Sequence, residues 1–121
     1  KVAHFRSKLH SAILSKHKEM KLMGNPFLSS RISQVYNEGV CLYLYYGFYV
    51  ETVNKNALSI FDEMEHFIRK EMLKYGGSIS HHHGIGKLRA AILKRDICSK
   101  QMLSLSHNIK QAFDPLNIFC A

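Results

Sequence analysis

Ser29-Ser30-Arg31-Ile32-Ser33-Gln34-Val35-Tyr36, then Asn37-Glu38-Gly39, then Val40-Cys41-Leu42-Tyr43-Leu44-Tyr45-Tyr46-Gly47-Phe48-Tyr49-Val50 reads as strand, hairpin-type turn and returning strand. The second strand is rich in aromatic and β-branched residues, and its near-continuous hydrophobicity predicts burial on both faces. Alternation puts Cys41, Tyr43, Tyr45 and Gly47 on one face and Leu42, Leu44, Tyr46 and Phe48 on the other. A hairpin is marginal by itself, so the segments around it must supply its partners.

Upstream, from Lys1 to about Met20, Val2, Phe5, Leu9, Ala12 and Ile13 recur at helical spacing, with Lys1, Arg6, Lys8, Lys16 and Lys18 on the other side. Gly24-Asn25-Pro26 ends this basic-faced helix. Downstream, Leu58, Phe61, Glu65, Ile68, Met72 and Tyr75 trace a second helix with Asn56 as its N-cap and Gly76-Gly77 as its stop. Lys87 to Lys94 forms a short helical stretch. Met102, Leu105, Ile109 and Phe113 give a last helix that ends at Asp114-Pro115. The order is helix, two strands, three helices: an α+β chain in which a β-hairpin packs with amphipathic helices.

The chain has 121 residues, enough for one compact domain, and residues 1–121 read as a single segment without repeats or linkers. It opens on Lys1 and closes on an apolar end, and its long apolar strand asks for more neighbours than it has. It therefore reads as a piece of something longer. The net charge of +8 is dispersed: residues 1–50 hold seven basic and two acidic side chains, residues 51–75 four and five, residues 76–121 six and two. Such a balance favours anionic partners without choosing among nucleic acid, a membrane surface and a phosphorylated substrate. Cys41, Cys98 and Cys120 are odd in number and lack Cys-x-x-Cys spacing, which argues against a disulfide framework or a structural zinc site. The longest apolar run, Val40 to Val50, is too short for a spanning helix, which needs about 20 residues.

Chemistry concentrates in Gly76-Gly77-Ser78-Ile79-Ser80-His81-His82-His83-Gly84-Ile85-Gly86-Lys87. Closely spaced glycines mark a backbone that turns sharply or approaches something bulky. A His-rich surface loop is one reading and a metal site another, since imidazole binds zinc, copper or nickel. In an extended loop His81 and His83 would point one way and His82 the other, and no third ligand of matching spacing is evident. No metal is therefore assigned. In a third reading, Gly84-x-Gly86-Lys87 cradles an anion at a helix start. It lacks the P-loop pattern, and Arg89 stands where the dinucleotide fingerprint needs its third glycine. Tyr43 and Tyr45 on one strand face fit a core, a stacking platform for bases, or acid–base work helped by a cationic neighbour.

Three segments carry a resemblance: Arg31 to Tyr45; Gly76 to Arg89; and Phe113-Asp114-Pro115-Leu116-Asn117-Ile118-Phe119. In this order they resemble the C-terminal part of the alkyldihydroxyacetonephosphate (alkylglycerone-phosphate) synthase family, within the FAD-linked, vanillyl-alcohol-oxidase-type flavoproteins. Flavin oxidases and dehydrogenases of that superfamily, such as D-lactate dehydrogenase, usually carry Glu-His-Gly-Ile/Val-Gly where this chain has His82-His83-Gly84-Ile85-Gly86. The triple histidine is similar to the synthase branch.

The resemblance implies a C-terminal, substrate-facing fragment of a two-domain flavoprotein whose FAD-binding domain lies upstream. It implies a transferase that exchanges the acyl chain of acyl-dihydroxyacetone phosphate for a long-chain fatty alcohol, forming the ether bond of ether lipids such as plasmalogens without net redox. By resemblance, Tyr43 is the acid–base at C1 of the substrate, and His81, His82 and His83 are the essential histidines beside flavin and substrate. Lys87 as a phosphate contact is read from its position and is not part of the resemblance. The family is peroxisomal, or glycosomal where that organelle exists. The resemblance also implies a homodimer and peripheral membrane association, and no nucleic acid. The chain alone is expected to hold no FAD and to be inactive. The rivals are a D-lactate dehydrogenase-like oxidoreductase of a small 2-hydroxy acid and a small basic nucleic-acid-binding module.

Overall fold

A computed structural model describes residues 2–53 and 56–119. Four α-helices and one antiparallel hairpin come in the order α1 (Val2–Glu19), β1 (Phe27–Val35), β2 (Val40–Gly47), α2 (Ala57–Lys74), α3 (Gly86–Ile92) and α4 (Lys100–Phe113). The fold is α+β, as expected. The chain gathers into two compact units, residues 1–78 and residues 79–121.

In the first unit, Leu9, Ile13 and His17 lie at successive four-residue steps and form the buried face of α1. Leu9 and Ile13 join Met64 and Ile68 of α2 in the core, with Phe5, Met20, Leu28, Leu44, Tyr46, Phe67 and Met72 packed around them. Lys16 bridges the two helices at the rim, 3.0 Å from both Glu19 and Glu63. Hydrogen bonds to these carboxylates raise its pKa.

The expected stripe on α2 was turned from its true centre. Leu58 is 73% exposed, while Met64, which the pattern omitted, is fully buried. Glu65, which interrupts the expected stripe, pairs along the helix with Arg69. Asn56 stands at the N-cap, yet its side chain makes no capping bond. The helix stops at the predicted glycines, with the Gly76 and Gly77 amides each 3.0 Å from carbonyls of its last turn.

The hairpin closes through the Tyr36 amide, which donates to the Gly39 carbonyl at 2.8 Å. Pairing runs from Phe27 opposite Gly47 to Val35 opposite Val40, with one irregularity: Ile32 faces Leu42 and Gln34 faces Cys41, leaving Ser33 as an extra residue. This is a β-bulge. The returning strand ends at Gly47 rather than Val50, which begins a single 3₁₀ turn, Val50–Thr52. Burial on both faces is not found: no residue of β2 is buried and Tyr45 is 42% exposed. The physical reason is a sheet of only two strands. Leu44 and Tyr46 rest on the helical core, and hydrophobicity alone does not reveal what covers a face.

In the second unit, α3 runs into a wider π-helical turn, Leu93–Ile97. Ser99 caps α4, its hydroxyl accepting from the Met102 amide at 3.2 Å. The apolar stripe of α4 is open: Met102, Leu105 and Ile109 are each more than half exposed, and Phe113 more so. Among the described residues no helix is long and apolar enough to cross a membrane.

Candidate functional site

The expected site residues fall into two groups, one in each unit. Tyr43 lies on β2 within the first unit, directly opposite Arg31 of β1. Opposed residues of an antiparallel pair share a face, so both side chains stand on the face away from Leu44 and Tyr46. The Arg31 guanidinium lies 5.2 Å from the centre of the Tyr43 ring, within cation–π range. The ring is half-buried and the arginine is exposed. Tyr45 shares this face, opposite Ser29. The alternation of the two faces along β2 thus agrees with the expectation, although the depth of burial does not.

His81, His82, His83 and Lys87 belong to the second unit, and all four are exposed. The loop is bent, and each imidazole lies close to the next. Ring centres are 5.0 Å apart for His81 and His82, and 4.2 Å for His82 and His83. The alternation expected of an extended loop therefore does not hold, because the bent backbone brings the His82 ring close to both of its neighbours. Among the described residues no group of three or more His, Cys, Asp or Glu side chains could hold a metal ion.

Two glycines shape the backbone between the histidines and α3. Gly84 has φ +75 and Gly86 φ +54, a backbone region that L side chains rarely adopt, and nothing lies within 4 Å of a Cβ built on either. The space above this backbone is open. Lys87 sits in the first turn of α3. Arg89, singled out in the sequence only as a missing glycine, donates from Nη1 to the Gly84 carbonyl at 2.8 Å and ties the loop to the helix.

Sequence reasoning also missed two polar anchors. His17 is buried, with Nδ1 3.1 Å from the Tyr46 hydroxyl and Nε2 3.2 Å from the Gly24 carbonyl. Its only signal was its position, four residues after Ile13 in the line of Leu9 and Ile13. Burial pushes the Tyr46 phenol up to about 12. Asp114 closes the turn after α4: its carboxylate pairs with Lys110 and accepts from the amides of Ile118 at 2.8 Å and Phe119 at 2.9 Å. The Lys110 hydrogen bond, together with these amides, lowers its pKa against the opposing effect of burial. Cys41 and Cys98 are free thiols. Cys120 lies outside the described residues.

Residues 3–121 match the family model for FAD linked oxidases, C-terminal domain. The chain is similar to an alkyldihydroxyacetonephosphate synthase of Caenorhabditis elegans, 39% identical over 107 residues, a match covering 86% of this chain and 18% of the relative. Proteins of the same name from Dictyostelium discoideum (30% over 103 residues, covering 84% of this chain and 16% of the relative) and Trypanosoma brucei brucei (31% over 94 residues, covering 78% and 15%) are also similar. The chain thus spans less than a fifth of the length of the curated relatives it matches. These matches leave too few residues outside them to exclude Tyr43, His81–His83 or Lys87 at either end.

Proposed function

Because the chain belongs to the family of FAD-linked oxidase C-terminal domains, we propose that it is the substrate-facing part of an alkylglycerone-phosphate synthase. Family membership indicates an enzyme with FAD as cofactor. The proposed reaction replaces the acyl chain of acyl-dihydroxyacetone phosphate with a fatty alcohol, forming an ether bond without net redox and feeding ether-lipid synthesis. The observation that carries this reading is the match to three relatives sharing the synthase name across Tyr43 and the triple histidine.

The residues present fit one wall of a flavin site. A row of exposed imidazoles adjoins glycine backbone with open space above it, where a planar ring can approach closely. His81, His82 and His83 would border the ring. When bound, FAD supplies an electron-accepting ring system that amino-acid side chains lack. In the proposed roles Tyr43 takes and returns the proton at C1 of the substrate, the imidazoles donate and accept hydrogen bonds around the departing carboxylate, and Lys87 supplies a cation for the phosphate. The reading carries a peroxisomal location, or a glycosomal one where that organelle exists, which imaging of a tagged full-length protein tests.

The decisive experiment uses the full-length polypeptide that contains these residues. Labelled fatty alcohol should enter an alkyl product in the absence of any electron acceptor. A requirement for an acceptor, with substrate leaving the flavin reduced, would instead support a hydroxy-acid oxidoreductase. Tyr43→Phe should abolish exchange of the C1 proton while flavin stays bound, and full exchange by that variant would remove Tyr43 from the mechanism.

A further inference from the structure

The bulge at Ser33 decides which residue faces Tyr43. Carried back from Val35 opposite Val40 without interruption, the pairing would set Ile32 against Tyr43, and Arg31 against Leu44 on the face that packs on the helices. The extra residue shifts the register by one, and Arg31 instead faces Tyr43. Bulges beside active sites re-aim a side chain in this way.

Across the open face of the hairpin, Ser29 stands opposite Tyr45 and Gln34 opposite Cys41, while Arg31 is the long side chain set directly against Tyr43. Its guanidinium lies over the ring, 5.2 Å from the centre. Among the described residues no carboxylate draws Arg31 away from that position. Arginine is always charged, and its planar group is attracted to the negative face of an aromatic ring, so the contact persists at any pH at which an enzyme works. Side-chain torsions decide where a tyrosine hydroxyl points. Proton transfer needs that hydroxyl within hydrogen-bond reach of the proton it moves, so a change of rotamer at Tyr43 would silence it.

We propose that Arg31 is a positioning residue for Tyr43: lying over the ring, it keeps the phenol in the one rotamer that presents its hydroxyl to the substrate. This rests on the synthase reading and deepens it, because it gives a second residue of the same hairpin a part in the proton transfer assigned to Tyr43. Arg31 acts through the ring and not on the substrate. The bulge is then a working part of the site, since without it Ile32 would take the place of the cation.

The test uses the full-length, flavin-loaded polypeptide carrying Arg31→Met, Arg31→Gln or Arg31→Lys. The two neutral variants should lower kcat and the rate of C1 proton exchange by roughly 3- to 30-fold, the range between an exposed and a desolvated cation–π contact, with the KM values for acyl-dihydroxyacetone phosphate and fatty alcohol unchanged. Arg31→Lys keeps a cation over the ring and should recover most of the rate. A rise in the KM for acyl-dihydroxyacetone phosphate as large as the fall in kcat, or without one, would overturn the proposal by placing the guanidinium on the substrate. Wild-type kcat in the neutral variants would overturn it as well, and so would equal losses in Arg31→Gln and Arg31→Lys. Fluorine NMR of fluorotyrosine-labelled protein reports on the ring itself: the Tyr43 resonance, assigned by its loss in Tyr43→Phe, should move in the neutral variants and return most of the way in Arg31→Lys. If one neutral variant fails to retain flavin, the other decides by the same readouts. If Tyr43→Phe keeps full exchange, or the wild type transfers no alkyl chain, the synthase reading fails by itself. The fluorine resonance then still decides whether Arg31 holds the ring, and a resonance that stays in place without the cation would show that it does not.

Discussion

The Nδ1 atom of buried His17 lies 3.1 Å from the Tyr46 hydroxyl, while Nε2 of the same ring lies 3.2 Å from the Gly24 carbonyl. A carbonyl only accepts, so Nε2 donates to it, and the hydrogen bond at Nδ1 is the one made with the Tyr46 hydroxyl. One side chain thus ties the end of α1 to the turn after it and to β2. Replacing it leaves two polar groups without partners and a cavity beside Ile13. His17→Ala should cost about 2–4 kcal/mol and Tyr46→Phe about 1 kcal/mol, read as shifts of the urea midpoint. The double variant should cost less than the sum, and strict additivity would show that the pair does not interact.

Tyr46 also predicts an alkaline limit. Burial raises its phenol from 10.0 to about 12, so the fold favours the protonated form. Below pH 10 both folded and unfolded states keep the proton, and this contribution is fully present. Between about pH 10 and 12 only the unfolded chain ionises, and stability falls as pH rises. Tyr46→Phe should flatten that part of the stability curve and remove the last-ionising phenol from the tyrosinate absorbance titration. An unchanged titration would place the high phenol elsewhere.

Features set by local chemistry were legible in the sequence. The Asn37-Glu38-Gly39 turn, the stop at Gly76-Gly77 and the end of α4 at Phe113 before Asp114-Pro115 all arise from residues adjacent in the chain. Alternation likewise sorted Tyr43 and Tyr45 from Leu44 and Tyr46. What escaped depends on residues far apart: the burial of His17 requires Tyr46, and the pairing of Arg31 with Tyr43 requires an unpaired Ser33 that no composition marks. Met64 was missed because the apolar arc of α2 is broad and its centre is fixed by where α1 lies. At the site, the histidines were legible as residue types, whereas the edge-to-face and tilted approach of their rings depends on loop bends that residue types do not announce.

Asp114 makes the turn after α4 acid-sensitive. Lys110 and the Ile118 and Phe119 amides favour its carboxylate, so its pKa is lowered in the folded state. The stabilisation is present above the ordinary aspartate pKa and is lost as pH falls through the depressed value. Protection of the Ile118 and Phe119 amides, measured as exchange relative to the intrinsic rate at each pH, should therefore fall at low pH. Asp114→Ala should show that lost protection already at neutral pH, with α4 amides before Lys110 unaffected. Slow exchange in that variant would mean that the turn is held by something other than this carboxylate.

Arg89 provides a test of whether the histidine row works as an arranged unit. Its Nη1 holds the Gly84 carbonyl immediately after His83, so it fixes the loop's exit without contacting an imidazole in the hydrogen-bond network. Gly84 has φ +75, and removing the tie frees a backbone that has little conformational preference of its own. Under the proposed synthase reading, Arg89→Ala in the full-length polypeptide should lower kcat roughly 10- to 100-fold, the scale of loss expected when groups proposed as catalytic drift by about an ångström. Flavin content and the KM for fatty alcohol should stay close to wild type. Arg89→Lys can still reach the carbonyl with one donor and should recover part of the rate. If Arg89→Ala turns over at the wild-type rate, the ring arrangement seen in the structure is not the one that catalysis uses. If Arg89→Ala and Arg89→Lys fail equally, Arg89 must act on the substrate directly rather than through the loop.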